Sequence, residues 1–160
     1  MAYDGARVGI QLQTPRRLER LQLLDFPESE HFEDRWWSGV ARNSSGNKYW
    51  LSAFLRDEEI ARIHIDTNMS VDRAFGVASP RERFTEIVFF EVSACYRRQG
   101  RGTTVIKRLT ALYPGRRFAA FSEEADCFSG SLGWHRHEHA EGVIRFRPLY
   151  ASPPTREDSI

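Results

Sequence analysis

The stretch that decides the fold is Phe84-Thr85-Glu86-Ile87-Val88-Phe89-Phe90-Glu91-Val92 followed by "SACYRRQGRGTTVIKRLTAL", Ser93 to Leu112. Its first nine residues are β-branched or aromatic apart from two glutamates, too few for a typical helix and apolar enough to lie inside a sheet. After the glycines, Val105, Ile106, Leu109 and Leu112 recur at helical spacing, and Pro114-Gly115 supplies a stop. Gly100 and Gly102 therefore occupy a strand-to-helix turn. At such a turn the first helical amides lack intrahelical partners, the macrodipole places partial positive charge there, and glycine lets a ligand approach the backbone. The expected ligand is an anion, a phosphate above all. The alternative is a plain tight turn with solvated arginines. Two common phosphate loops are excluded by spacing, because Gly100-Arg101-Gly102 is followed by Thr103-Thr104-Val105 and satisfies neither G-x-x-x-x-G-K-[ST] nor G-x-G-x-x-G.

Outward from this stretch, Arg7 to Gln13 alternates as a strand, and Thr14-Pro15 offers a cap with proline at the first helical position. Leu18 and Leu21 mark the inner face of a first helix, and a second helical segment is expected from about Ser29 to Val40. Tyr49 to Leu55 and Glu59 to Ile65 read as a hairpin turning at Arg56-Asp57-Glu58, with a polar stretch from Asp66 to Arg83 behind it. Arg116 to Phe121 is a short strand. Glu141-Gly142 is expected at the turn of a terminal hairpin whose second arm is Val143 to Arg147. There are no internal repeats. One domain over residues 1–150 is expected, with a flexible tail over 151–160.

Composition bounds the function. With 23 basic and 22 acidic residues the formal charge is +1, so no global field favours nucleic acid or an anionic membrane. No apolar run approaches the roughly 18 residues that span a bilayer, and a cytoplasmic location is expected. Cys95 and Cys127 have no metal-ligand spacing and are expected to be reduced. His135, His137 and His139 share a face if extended, but no fourth ligand accompanies them, and no metal is expected. Trp36, Trp37 and Trp50 are read as core rather than as an aromatic acceptor cleft.

Arg97-Arg98-Gln99-Gly100-Arg101-Gly102 resembles the R/Q-x-x-G-x-G/A signature of the GCN5-related N-acetyltransferase (GNAT) superfamily. "ADCFSGSLGWHR", Ala125 to Arg136, is similar to that family's late helix ending in L-G-F, with Trp134 in place of the phenylalanine. The order of elements over about residues 7–150 also resembles the family's. The resemblance implies an α/β (α+β) acyl-CoA N-acyltransferase fold, with a mixed central sheet of about six or seven strands flanked by about four helices. It implies acetyl-CoA as cosubstrate, with the pyrophosphate on the amides of Arg97, Arg98, Gln99, Gly100, Arg101, Gly102 and Thr103, and the pantetheine on the backbone of Phe90, Glu91 and Val92.

Acetyl transfer to an ammonium requires removal of a proton before the nitrogen can attack the thioester. "FTEIVFFEV" is similar to the corresponding strand of the histone-acetylating branch, whose general base falls on Glu86. Glu86 is therefore favoured over Glu91, and alternation places the two on opposite faces unless a bulge intervenes. The family's late-helix tyrosine, a proton donor to the leaving thiolate, is replaced here by Phe128 and Ser129, and Ser129 is the candidate donor, directly or through a water. Segment 29–40 and the loop 66–83 are expected to border the acceptor, with Asp66, Asp72, Glu30, Glu33 and Asp34 favouring a cationic group. The partners implied are a small-molecule or protein amine, with an aminoacyl-tRNA as the one nucleic acid admitted and a homodimer as the admitted assembly. The alternative function is a non-catalytic acyl-CoA-binding or sensing module of the same fold.

Overall fold

The computed structural model describes residues 9–13, 26–33, 37, 47–77, 79, 81–121 and 131–154. Among the described residues seven strands form one sheet: β1 (Gln11–Gln13), β2 (Lys48–Leu55), β3 (Glu58–Met69), β4 (Phe84–Val92), β5 (Phe118–Phe121), β6 (His135–His137) and β7 (Leu149–Ala151). Their order is β1-β2-β3-β4-β5-β7-β6, antiparallel throughout except for the parallel pair β4 and β5. The parallel pair is the one that needs a crossover, and the helix Arg101–Ala111 supplies it.

That helix presents Val105, Ile106 and Leu109 to one face of the sheet, where they pack with Leu51, Ala61, Ile63, Ile65, Ile87 and Phe118. Burial of this apolar stripe holds the helix across the sheet. Leu112, expected on the same stripe, caps the helix C-terminus and is more than half exposed. The opposite sheet face carries two smaller clusters. Phe32, Trp37 and Trp50 form one, confirming Trp37 and Trp50 as core, whereas Trp36 lies outside the described residues. Phe75, Phe84, Ala119, Leu149 and Ala151 form the other.

The β2–β3 hairpin turns through Arg56 and Asp57, both at positive φ (52° and 65°), the geometry whose twist matches that of paired strands. β3 runs to Met69, so Asp66, expected to open a loop, lies in the sheet. The terminal hairpin differs from expectation: residues 143–145 turn rather than extend, Ile144 is fully exposed, and the arm that pairs with both β5 and β6 is Leu149–Ala151. Ala151 is in the sheet, and Ser152 Oγ accepts from Phe118 N at 2.8 Å. The sheet thus includes Ala151, the first residue of the expected tail 151–160, of which 155–160 lie outside the described residues. Among the described residues the Arg101–Ala111 helix is the one long helix, fewer than the four expected; Trp37, Ser131 and Leu132 are also helical. The helix expected from about Ser29 to Val40 is not formed at its start, where residues 29–33 turn instead; Trp37 is helical, and 34–36 and 38–40 lie outside the described residues, as do 14–25 and 122–130, where other helices were expected. No described helix is long and apolar enough to cross a membrane.

Candidate active site

β4 and β5 pair at only two positions, Thr85 with Phe118 and Glu86 with Ala119. Beyond Glu86 the two parallel strands part, and among the described residues no strand pairs with β4 from Ile87 to Val92 on that side. On the other side its register with β3 jumps: His64 faces Phe89, while the next residue, Ile65, faces Ile87. Val88 is the extra residue of a β-bulge. A bulge reverses the alternation beyond it, so Glu86, Phe89 and Glu91 share one face, the face opposite the helix.

Three cross-strand rows lie on that face: Lys48, Asp66 and Glu86; Trp50, His64 and Phe89; Ser52, Arg62 and Glu91. The middle row is a stack, with ring centroids 4.3 Å apart for Trp50 and His64 and 6.3 Å for His64 and Phe89. Phe89 leaves the stack half exposed.

The two carboxylates have different surroundings. Glu91 is 5% exposed and fully engaged: its carboxylate accepts from Trp37 Nε1 (2.6 Å), Glu33 N (2.9 Å) and the Arg97 guanidinium (3.3 Å). Arg62, its cross-strand neighbour, bonds instead to Glu59 and to the Pro27 carbonyl. Glu86 is partly exposed. Burial pushes its carboxyl above the usual carboxylate range, the Asp66 carboxylate pushes it further, and Lys48 opposes them. A carboxylate of raised basicity thus stands in the last row at which β4 and β5 pair.

The turn after β4 has features that suit an anion. Arg98 and Gly100 both adopt left-handed backbone (φ 60° and 71°), and Gly100 starts the helix without a side-chain cap. A Cβ built on Gly100 meets no atom within 4 Å, so the space before the helix is open. Arg101 Nε is buried there without a hydrogen-bond partner among the described residues. Gln99 Nε2 donates to Cys95 O (3.0 Å) and Arg97 Nε to Val92 O (3.0 Å), which fixes the loop against the strand end. Thr103 Oγ1 lies 2.8 Å from Ser131 Oγ, linking the first helical turn to the segment that follows the undescribed residues 122–130. These features fit a pyrophosphate: orphan amides, a helix N-terminus and adjacent guanidinium groups.

Solved structures carry the same arrangement of elements. A mutant AtaT toxin bound to the C-terminus of the antitoxin AtaR and acetyl-CoA superposes with a TM-score of 0.57 at 12% identity, over 90% of this chain and 92% of that one. The chain has the GNAT fold. Two further members of this fold are similar, an acetyltransferase from Thermus thermophilus (TM-score 0.50, 14% identity) and the Bacillus subtilis N-acetyltransferase YlbP in complex with coenzyme A (0.51, 12%). They are matched over 68% and 66% of this chain, and over 66% and 67% of their own lengths, so the chain spans just under two thirds of the first. No protein-family model matches the chain, and no curated protein matches its sequence.

In this GNAT-fold chain the residues named from sequence are partly gathered. Glu86, Phe90, Glu91, Val92 and the turn Arg97–Thr103 line one continuous strand, loop and helix start. Ser129 lies outside the described residues. Sequence reading missed Asp66 and Lys48 as neighbours of Glu86, and Trp37 with Arg97 as partners of Glu91. Alternation from His64 to Asp66 would have found Asp66 had β3 been extended beyond Ile65. Of the other acidic residues, Asp72 turns its carboxylate onto Ala74 N and His139. His139 itself accepts from Glu141 N at Nδ1 and faces Asp72 through Nε2, so both its ring nitrogens are occupied.

Proposed function

We propose that the chain transfers an acetyl group from acetyl-CoA to a primary amine, with Glu86 as general base. The observation that carries the reading is Glu86 itself: a half-buried carboxylate of raised pKa in the row where β4 leaves β5. The GNAT fold and the coenzyme A or acetyl-CoA named in two similar structures support the choice of cosubstrate.

In this account the amides from Arg97 to Thr103 take the pyrophosphate, and Arg98 and Arg101 add charge. The backbone of Phe90, Glu91 and Val92 takes the pantetheine along the edge of β4 that has parted from β5. The Val92 carbonyl already accepts from Arg97, so Phe90 and Glu91 carry most of that contact. The thioester then lies toward Glu86. The acceptor arrives as an ammonium beside Asp66 and Glu86, whose joint negative charge attracts it. Glu86 accepts its proton, the amine lone pair forms the C–N bond at the thioester carbonyl, the C–S bond breaks, and the thiolate leaves. Ser129 is proposed to relay a proton to that thiolate, taking one from a water as it gives its own, or to hold a water that donates it. Glu91 positions the segment around Trp37 and the arginine of the turn, and takes no proton in this account, because three donors already occupy its oxygens.

Thiol release from acetyl-CoA, followed across a panel of primary amines, tests the reading. Amine-dependent release is the expected result. Tight acetyl-CoA binding with no amine-dependent release would favour the coenzyme-binding module instead.

A further inference from the structure

Strand register makes Phe89 the neighbour of Glu86 on one face of the sheet. Lys48 and Trp50 on β2 are two residues apart, as are Asp66 and His64 on β3, and these pairs tie the Glu86 row to the Phe89 row. Two strand residues span roughly 7 Å, so the rows are adjacent. The bulged Val88 is what brings Glu86 and Phe89, three positions apart on β4, to the same face.

Burial divides that face. Trp50 and His64 are 4% and 7% exposed, and Phe32 and Trp37 pack with Trp50. Arg62 and Glu91, in the row beyond, are buried as well. Phe89 is 47% exposed, although it has contacts besides the one with His64. Lys48 is exposed, and Asp66 and Glu86 are half-buried. Among the described residues of these three rows, solvent therefore meets Lys48, Asp66, Glu86 and Phe89: an acidic pair with a cation at one end and an aromatic ring beside the other.

The Phe89 ring is backed by the core. His64 lies between it and Trp50, with interplanar angles of 22° and 12°, so the three rings are nearly parallel. A single exposed aromatic is ordinary surface. This one is fixed by a buried stack in the row next to the acidic pair, and a surface already fixed costs a ligand little ordering entropy.

Resting on the acetyltransferase reading above, we infer that Phe89 is the platform for the body of the acceptor and sets its specificity, the acceptor being a primary amine joined by a short chain to a flat apolar ring. The ammonium sits at Glu86 and Asp66, and the ring lies on the exposed part of Phe89. A chain of about two carbons, at about 1.5 Å per bond, together with the reach of an N–H···O bond, spans one row. Aromatic pairs strengthen binding by about two- to tenfold beyond the area they bury. Phe89 touches the acceptor away from the reacting atoms, so its effect falls on the choice of amine rather than on proton transfer.

2-Phenylethylamine and ethylamine are the probes, since they differ only in the ring. Thiol release from acetyl-CoA with each is measured in the wild type, Phe89→Leu and Phe89→Tyr, alongside acetyl-CoA affinity and calorimetric binding of 2-phenylethylamine. The wild type is expected to prefer 2-phenylethylamine by about tenfold or more in kcat/KM, from ring burial and stacking together. Phe89→Leu should cut that preference by about fivefold, chiefly through KM for 2-phenylethylamine, and Phe89→Tyr, which keeps the ring, should retain it. A loss in Phe89→Leu that is equal for both amines marks a structural role and overturns the platform. So does a wild type without preference, or a preference that survives Phe89→Leu; release of thiol in these cases leaves the acetyltransferase reading standing. Binding of 2-phenylethylamine that depends on the Phe89 ring, without release from any amine, upholds the platform and overturns the acetyltransferase reading. Neither binding nor release with 2-phenylethylamine overturns the platform, whatever other amines give.

Discussion

Glu86 and Glu91 lie on the same face of β4 although five positions separate them, because Val88 is bulged out of register with β3. The bulge lets one short strand hold two carboxylates of different kinds on one face, with Phe89 between them. Glu91 is buried and saturated with donors, a structural anchor. Glu86 stands where the strand loses its parallel neighbour, with raised basicity.

Glu91 is expected to matter for stability. Replacing it by alanine leaves the Trp37 indole N–H, which is buried, and the Glu33 amide without their acceptor. The cost of a stranded buried donor is about 1–3 kcal/mol, so Glu91→Ala should lower the urea midpoint measurably. Glu91→Gln, which keeps one oxygen as acceptor, should cost less. An unchanged midpoint in Glu91→Ala would remove the anchor role.

Glu86 is expected to show the opposite sign. Its folded-state pKa lies above the unfolded value, so below the unfolded value it costs nothing. As pH rises through the folded value, the native state must ionise a partly desolvated group, and stability is lost. Glu86→Gln should therefore unfold at a higher temperature than the wild type near pH 8, with the difference shrinking toward pH 4. A difference independent of pH would show that ionisation of Glu86 is not what the fold opposes.

Asp66 is the neighbouring charge that raises the Glu86 pKa, after burial. Asp66→Asn should move the acid limb of the pH–rate profile to lower pH, because the base then ionises sooner. A limb that stays in place would mean that Asp66 does not act on the titrating group.

Gly100 combines φ 71° with open space in front of its Cα. Gly100→Ala should cost about 1 kcal/mol from backbone strain alone, with little steric effect. Gly100→Asp adds a negative charge before the helix N-terminus and should weaken acetyl-CoA binding well beyond the alanine variant. Equal calorimetric affinities for the two variants would argue against a pyrophosphate on this turn.

Much of the frame was legible because it is local. β-Branched and aromatic residues from Phe84 to Val92, the glycine pair and the Val105, Ile106, Leu109 stripe each announce their element within a dozen residues, and the structure has the strand bounds Phe84–Val92 as expected. The bulge at Val88 was not legible: it is a property of register against β3, and nothing in "FTEIVFFEV" alone says which residue is extra. Glu91's partners were hidden for the same reason, since Trp37 and Glu33 lie more than fifty residues away in the chain. Val143 to Arg147 misled because V-I-R-F-R reads as a strand, whereas the ties at Ala140 and His139 fold that segment over Phe75, and Phe146 stacks on His139 instead of entering the sheet. Leu112 fell at the helix end, where its place on the apolar stripe no longer matters.

The role of Glu86 is tested most directly by Glu86→Gln, assayed for amine-dependent thiol release against pH with acetyl-CoA affinity measured alongside. Gln is nearly isosteric, so affinity should be retained, while the rate at neutral pH should fall by about 10²–10⁴-fold, the usual worth of a general base. The defect should narrow as rising pH supplies amine already free of its proton. Wild-type turnover in Glu86→Gln at neutral pH, with the loss appearing in Glu91→Gln, would contradict the assignment.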